Sequence, residues 1–219
     1  LAQMAIPKQQ NEVSVAPTLL KHIDLRNKVV IGDALHTQRQ ISIQIGKAGG
    51  HYVWTVKGNH PQLHQDLQDW FDTEVMPIPG MGCPPKDFCS FTLPNKGHGR
   101  LEVRTLTTSS QLNDFLDWPF LQQVFRLERK TRILKTAETR KEVVYGITSL
   151  SAEQASPEQL LRMLKSYWNI ENGLHYRRDV SLHEDQTRFK CHRAAHNMAT
   201  INKLIIGLID KTNHPWVPC

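Results

Sequence analysis

The chain has 219 residues, of which 39% are apolar, and its 27 Lys and Arg against 21 Asp and Glu give a net charge of +6. This length and apolar content are enough for one sizeable domain with an insertion, or for two small domains. No membrane-spanning helix is predicted, since no stretch approaches about 20 consecutive apolar residues. The moderate positive charge favours a polyanionic partner.

The first half of the chain alternates between predicted helices and strands. Residues 12–24 can form a short helix, and the sequence VVIGDAL (29–35) follows as a buried strand. In this interpretation Gly32 lets the chain bend and Asp33 stands where the strand emerges. Aspartate at such a place either caps the turn that follows or serves as a metal ligand. Both roles remain open from these residues alone.

A second helix and a second strand come next. Ile41, Ile45 and Ala48 recur at helical spacing, and Gly49 and Gly50 stop that helix. Aromatic and β-branched residues then predict a strand over 51–58. A third helix follows, with Asn59 as its N-cap, Pro61 in its first turn and an apolar stripe of Leu63, Leu67, Trp70 and Phe71. This order of elements predicts parallel strands.

The composition changes at residue 76, where prolines and glycines indicate a connector. Residues 91–150 are rich in β-forming patterns, and the chain turns helical from Ser156, with Pro157 at the first helical position. The predicted organisation has three parts. They are 1–75, the first part of an α/β core; 76–155, the connector and a β-rich insertion; and 156–219, a C-terminal helical part of the same core.

The C-terminal helical part supplies a second candidate carboxylate, Glu171. Residues four or seven apart share one face of a helix, so Glu171 shares its face with Leu164, Tyr167, His175 and Arg178. A glutamate among aromatic and cationic side chains is a candidate ligand. The alternative is a solvated helix in which Glu171 pairs with His175 or Arg178.

Several ordered motifs carry a family resemblance. The stretch YWNIENGLHYRRDVSLHEDQTRFKCHRAAHNMATINKL (167–204) resembles the C-terminal signature of the H-repeat-associated, ISAs-type insertion-sequence transposases. GDALHTQ (32–38), GGHYVWTVKGNHPQLHQDL (49–67) and HGRLEVR (98–104) are similar to further motifs of that family, in the same order. The resemblance covers nearly the whole chain.

This resemblance implies a DDE transposase catalytic domain with a ribonuclease-H-like α/β fold, in which a mixed sheet is flanked by helices. Asp33 matches the second acid of the catalytic triad and Glu171 the third, and together they are expected to bind Mg²⁺ or Mn²⁺. Leu164 and Tyr167 depart from the wider insertion-sequence pattern, whereas Arg178 keeps the positive charge found there and is expected to contact DNA. The first aspartate of the family lies upstream of residues that match the start of this chain, so we expect a fragment without it that does not cleave DNA alone.

The expected activity is metal-dependent DNA strand cleavage and transfer in DNA transposition, and the alternative is a non-catalytic DNA- or protein-binding remnant. Lys57 and Asn59 follow the second strand and are candidate DNA-binding residues, the alternative being a glycine turn and a helix cap. Expected partners are transposon ends, target DNA and further copies of the chain. The spacing of the four cysteines disfavours a zinc module and indicates reduced thiols in the cytoplasm.

Overall fold

The computed structural model describes residues 12–72, 86–97, 99–169, 194, 197–202 and 204–205. The elements, in chain order, are α1 (Glu12–Lys21), β1 (Val29–Gly32), a 3₁₀ turn (Ala34–His36), α2 (Arg39–Lys47), β2 (His51–Val56), α3 (Pro61–Asp72), β3 (Cys89–Gly97), β4 (Arg100–Ser109), β5 (Gln123–Ile133), β6 (Thr139–Thr148) and α4 (Pro157–Asn169). The chain divides into two compact units, Leu1–Met163 and Leu164–Cys219. None of the helices in the described part of the chain is long and apolar enough to cross a membrane.

The six strands of the first unit form one sheet in the order β1-β2-β6-β5-β4-β3. β1 and β2 are parallel, as the sequence predicts, with Gly32 paired to Trp54, and all other neighbours are antiparallel. The predicted mixed α/β architecture is therefore confirmed, while the ribonuclease-H-like fold stays a prediction. The β-rich segment does not form a separate sheet, because β6 pairs with both β2 and β5.

Helices α2 and α3 cover one face of the sheet and close its main core. The predicted stripes are confirmed at Ile41 and Ile45 on α2 and at Leu67 on α3, all buried. The prediction is wrong for Ala48, which follows the last residue of α2 and is exposed. Leu63, Trp70 and Phe71 are partly buried and pack against the same core.

Ser42 is a buried polar link within this core. Its hydroxyl oxygen accepts hydrogen bonds from the indole nitrogens of Trp54, at 2.9 Å, and Trp118, at 3.2 Å. The same hydroxyl donates to the Gln38 carbonyl at 3.0 Å. Because a buried indole N–H without a partner is costly, this hydroxyl fixes α2 against β2 and the loop between β4 and β5.

The predicted end of α2 and the predicted start of α4 are confirmed. Gly49 has a φ of +73°, a left-handed conformation that ends α2 at little cost for glycine. Before α4, the Ser156 backbone N–H donates to the Gln159 side-chain oxygen at 2.8 Å, and the Gln159 N–H donates to the Ser156 hydroxyl at 3.4 Å. This capping box places Pro157 at the first helical position, as expected.

Candidate active site at the strand ends

Asp33 stands at the carboxyl end of β1, as the sequence predicts. β1 and β2 are parallel neighbours, so their carboxyl ends lie at the same edge of the sheet. Asp33 follows β1 directly and Lys57 follows β2 directly. The fold therefore brings the predicted carboxylate and the predicted DNA-binding turn to one edge.

The two oxygens of the Asp33 carboxylate have different surroundings. Oδ1 accepts hydrogen bonds from the backbone N–H groups of Leu35, at 3.0 Å, and His36, at 3.4 Å, and lies 3.0 Å from His36 Nδ1. These bonds cap the 3₁₀ turn, so the capping role left open by the sequence is present. Oδ2 has no hydrogen bond to any residue that the structure describes, and the side chain is 50% exposed. One oxygen thus remains available to a hard cation.

Gly32 is required for close packing at the end of β1. It is buried at the last position of β1, and a Cβ atom there would lie 2.6 Å from the Trp54 ring and 2.9 Å from the His36 side chain. This packing gives a reason for the glycine that the sequence did not show, and the predicted bend stays a prediction. The absence of a side chain allows Trp54 to pack directly beneath the turn that carries Asp33.

Three side chains tie the Asp33 loop to the residues at the end of β2. The buried Thr37 hydroxyl lies 2.7 Å from the Thr55 carbonyl, to which it donates, and 3.2 Å from the Asp33 carbonyl. Asn59 Nδ2 donates to the Ala34 carbonyl at 2.5 Å, and His60 Nε2 donates to the Thr37 carbonyl at 2.5 Å. These bonds cross between two segments of the chain and hold the carboxylate in one position.

The structure changes the expected role of Asn59 and identifies two residues that the sequence did not. α3 begins at Pro61, and the His64 N–H donates to the His60 carbonyl, so His60 rather than Asn59 occupies the cap position. Thr37 and His60 lie inside the motifs GDALHTQ and GNH, but no local pattern shows what their side chains bind.

Lys57 is exposed and makes no side-chain hydrogen bond or ion pair with the described residues.

Glu171 and Arg178 lie outside the described residues. Of their predicted helix face, Leu164 is buried and Tyr167 is partly buried on α4. Within the described ranges, no group of three or more His, Cys, Asp or Glu side chains could hold a metal ion. The pairing of Asp33 with Glu171 therefore stays a prediction.

A cavity of about 380 Å³ adjoins the segment that follows β2. Asn59 and His60 line it together with Asp117 and Trp118 of the loop between β4 and β5. Arg39 also lines it, but its guanidinium already pairs with Asp117 at 3.2 Å and lies over the Trp118 ring. That pairing reduces the charge that the cavity can offer to a phosphate.

Comparison with known proteins identifies the family. The family described as "Transposase DDE domain" matches residues 1–208. The chain belongs to this DDE transposase family. A relative from Escherichia coli (strain K12), "H repeat-associated putative transposase YhhI", confirms the resemblance to H-repeat-associated transposases. "Putative protein YbfL" of the same strain is a second relative. They are 27% and 28% identical, in that order, to this DDE domain over 214 residues, and each match covers 95% of the chain and 54% of the relative.

A third relative matches the same share of the chain. "Putative transposase YncI" of Escherichia coli O157:H7 is 26% identical over 218 residues, which cover 95% of the chain and 52% of the relative. The DDE domain described here thus spans about half the length of the curated relatives it matches. No solved structure matches the chain.

Proposed function

We propose that this chain is part of the catalytic domain of a transposase that cleaves and transfers DNA strands in a divalent-metal-dependent reaction. Membership of the DDE family supports transposase function. The observation that carries the catalytic proposal is the Asp33 carboxylate at the end of β1, held through Oδ1 and with Oδ2 available. A rigid strand end is where a metal ligand keeps its position during the reaction.

The chemistry of the available donors fits Mg²⁺ or Mn²⁺. Both ions prefer carboxylate oxygens, and Asp33 together with Glu171 would hold them. When bound, such ions activate a water or hydroxyl nucleophile and neutralise the leaving oxygen of a phosphodiester. Among the described strands β1 pairs on one side only, with β2, so its other edge can accept a strand that carries a further aspartate.

The residues around Asp33 have separate proposed tasks. Thr37, Asn59 and His60 hold the loop, so that the carboxylate is already oriented when the ion binds. Because the Asn59 amide donates a hydrogen bond to the Ala34 carbonyl, we assign Asn59 to positioning the Asp33 loop, in place of the DNA contact that the sequence suggested. Lys57 and Arg178 are proposed to bind phosphates of the DNA, and the active complex is proposed to contain several copies of the protein.

Plasmid nicking tests the proposal. The 219-residue chain and a version extended upstream by the strand that carries the family's first aspartate are incubated with supercoiled DNA in Mg²⁺, in Mn²⁺ and in a chelator. Asp33→Asn and Glu171→Gln are made in the extended version. We expect nicking only with metal and only by the extended version, and a loss of at least about 100-fold in both variants, because a lost metal ligand removes about 3 kcal/mol or more of transition-state stabilisation and each 1.4 kcal/mol is worth about tenfold in rate. Asparagine retains the oxygen that caps the turn, so a folding defect is not expected at Asp33.

The control variant is Lys21→Gln, an exposed change on α1, which should nick like the unmodified extended version. Metal-dependent nicking that survives Asp33→Asn would refute the assignment of Asp33. DNA binding by the extended version without nicking in either metal would instead favour the non-catalytic remnant.

A further inference from the structure

The four strands β3–β6 extend beyond the part of the sheet that contains β1 and β2. Val56 and Tyr145 form the last pair between β2 and β6, whereas β6 begins six residues earlier, at Thr139. At about 3.3 Å per residue this extension projects roughly 20 Å. Since β2 runs antiparallel to β6, the extension leaves the sheet at the carboxyl ends of β1 and β2. It therefore starts at the edge that carries Asp33.

Cationic side chains are grouped on one face of this extension. Lys130 and Lys141 are directly opposite each other on β5 and β6. Two positions further out, Arg132 is opposite Leu101, which is itself opposite Lys96 on β3. Because side chains alternate along a strand, these four cations share one face, and all four are exposed. We call Lys96, Lys130, Arg132 and Lys141 the basic patch.

The charge of the basic patch is not balanced by nearby acids. Glu128 is the one acid on this face of β3–β6 within the described extension. It lies 2.8 Å from Lys130 Nζ and 3.2 Å from Lys141 Nζ. It also binds Arg126, which pairs in addition with Asp72 of α3 at 3.0 Å, so Glu128 is the one described carboxylate that neutralises the two lysines. Lys96 and Arg132 form no ion pair with the described residues. Like charges directly across a strand pair are destabilising. An arrangement that brings them together is therefore typical of a surface that binds an anion.

We propose that the basic patch binds the phosphate backbone of the duplex DNA that flanks the cleavage site at Asp33. This inference rests on the proposed function and adds the surface along which the DNA lies. An extension of roughly 20 Å matches about six base pairs at 3.4 Å each, and four cations can each contact one phosphate. Contacts to phosphates position a duplex without reading its sequence. The patch therefore orients the DNA, and its base sequence is read elsewhere.

Fluorescence anisotropy with a labelled 20-base-pair duplex of arbitrary sequence tests the proposal. Binding is measured from 50 to 200 mM NaCl in a chelator, so that cleavage does not interfere. The variant Lys130→Gln/Lys141→Gln removes two charges from the patch. The control Lys21→Gln/Lys47→Gln removes two exposed charges from the last turns of α1 and α2, which precede the amino ends of β1 and β2.

We expect the patch variant to lower the slope of log K against log salt by roughly two, and to lower affinity on the order of tenfold or more at 100 mM. The control should change the slope little. Glu128→Gln removes the acid that opposes the patch and should strengthen binding several-fold, a gain that loss of folding cannot produce.

Two contrary results separate a failure of this inference from a failure of the proposed function. If the unmodified chain binds DNA but the patch variant and the control lose the same affinity, the basic patch is not the DNA surface, and the proposed function still stands. If the unmodified chain binds no duplex even at 50 mM salt, both the inference and DNA processing by this chain are rejected.

Discussion

The two oxygens of the Asp33 carboxylate have different tasks: Oδ1 caps the 3₁₀ turn, and Oδ2 is proposed to bind a metal ion. Oδ1 accepts the N–H groups of Leu35 and His36, and Oδ2 has no hydrogen bond to the described residues. A ligand already held by backbone donors loses little side-chain freedom when it binds an ion. The same bonds explain why an aspartate is compatible with the end of a hydrophobic strand without any metal.

Substitutions at Asp33 should separate the two tasks. Asp33→Ala removes the cap and should lower the free energy of unfolding by about 1 kcal/mol. Asp33→Asn keeps an acceptor oxygen and should lower it by less than about 0.5 kcal/mol, while abolishing metal-dependent nicking by the extended version. Urea denaturation of both variants measures the difference. Equal losses of stability would show that the oxygen of residue 33 does not cap the turn.

At the level of the elements, β6 is the strand that joins the two halves of the sheet. It pairs with β2 over Tyr145–Thr148 and with β5 over Thr139–Thr148. Gly146 lies in the region where both partners are present. A Cβ there would lie 2.1 Å from the Phe125 ring and 2.3 Å from the Trp54 carbonyl oxygen. Close packing at this one position connects the Asp33 side of the sheet to the basic extension.

Gly146→Ala should therefore be strongly destabilising. The added methyl group must displace Phe125 or the backbone of β2, and we expect a loss of about 3 kcal/mol or more in the free energy of unfolding. Gly58→Ala is the matched control, since a Cβ at Gly58 meets no atom within 4 Å. Thermal or urea denaturation compares the two. Similar stability of both variants would contradict the described packing between β2, β5 and β6.

Glu128 links β5 and β6 in a way that depends on pH. The hydrogen bond from Lys130 lowers the pKa of Glu128 from 4.5 to about 2, and bonds from Lys141 and Arg126 act in the same direction against the opposing effect of burial. A carboxyl group whose pKa is lower in the folded state stabilises the fold above its unfolded pKa. That contribution is lost as the pH falls from about 4.5 towards 2.

Glu128→Gln should thus be less stable than the unmodified chain at pH 7, by about 1 kcal/mol for this partly exposed network. The difference should shrink as the pH falls below 4.5 and disappear near pH 2. Urea denaturation at a series of pH values between 2 and 7 provides the measurement. A difference that stays constant over this range would mean that the charge of Glu128 contributes nothing.

At the scale of the whole molecule, the chain carries a net charge of +6, to which the four cations of the basic patch contribute. The basic patch on the extension of β3–β6 concentrates cations at the edge where β1 and β2 end. A duplex attracted to that surface is brought towards Asp33 before any base is recognised. Electrostatic attraction of this kind depends strongly on salt and little on sequence.

Two unrelated 20-base-pair duplexes should therefore bind the chain with affinities within about threefold of each other, and both should weaken steeply between 50 and 200 mM salt, as counterion release requires. Fluorescence anisotropy gives both quantities. Tight binding of one duplex that is unchanged by salt would show direct reading of bases, which the described surface does not predict.

The sequence by itself determined the features that depend on neighbouring residues. The apolar run of β1 followed by Asp33 fixed the place of the carboxylate, and Ser156 with Pro157 fixed the start of α4. Two strands separated by a helix predicted the parallel pair β1 and β2. The motifs also identified the family, and the match of the DDE transposase family over residues 1–208 confirms it. Hydrophobic periodicity and capping act over a few residues, so a single chain contains the information.

Only the tertiary structure decided which distant residues meet. Strand periodicity does not specify a partner, so the position of β6 between β2 and β5 could not be derived from alternation. Asn59 reaches the Ala34 carbonyl across 25 residues, and Gly32 is needed because the Trp54 ring packs on it. These contacts depend on the packing of whole elements, which a local preference for a cap or a turn does not specify.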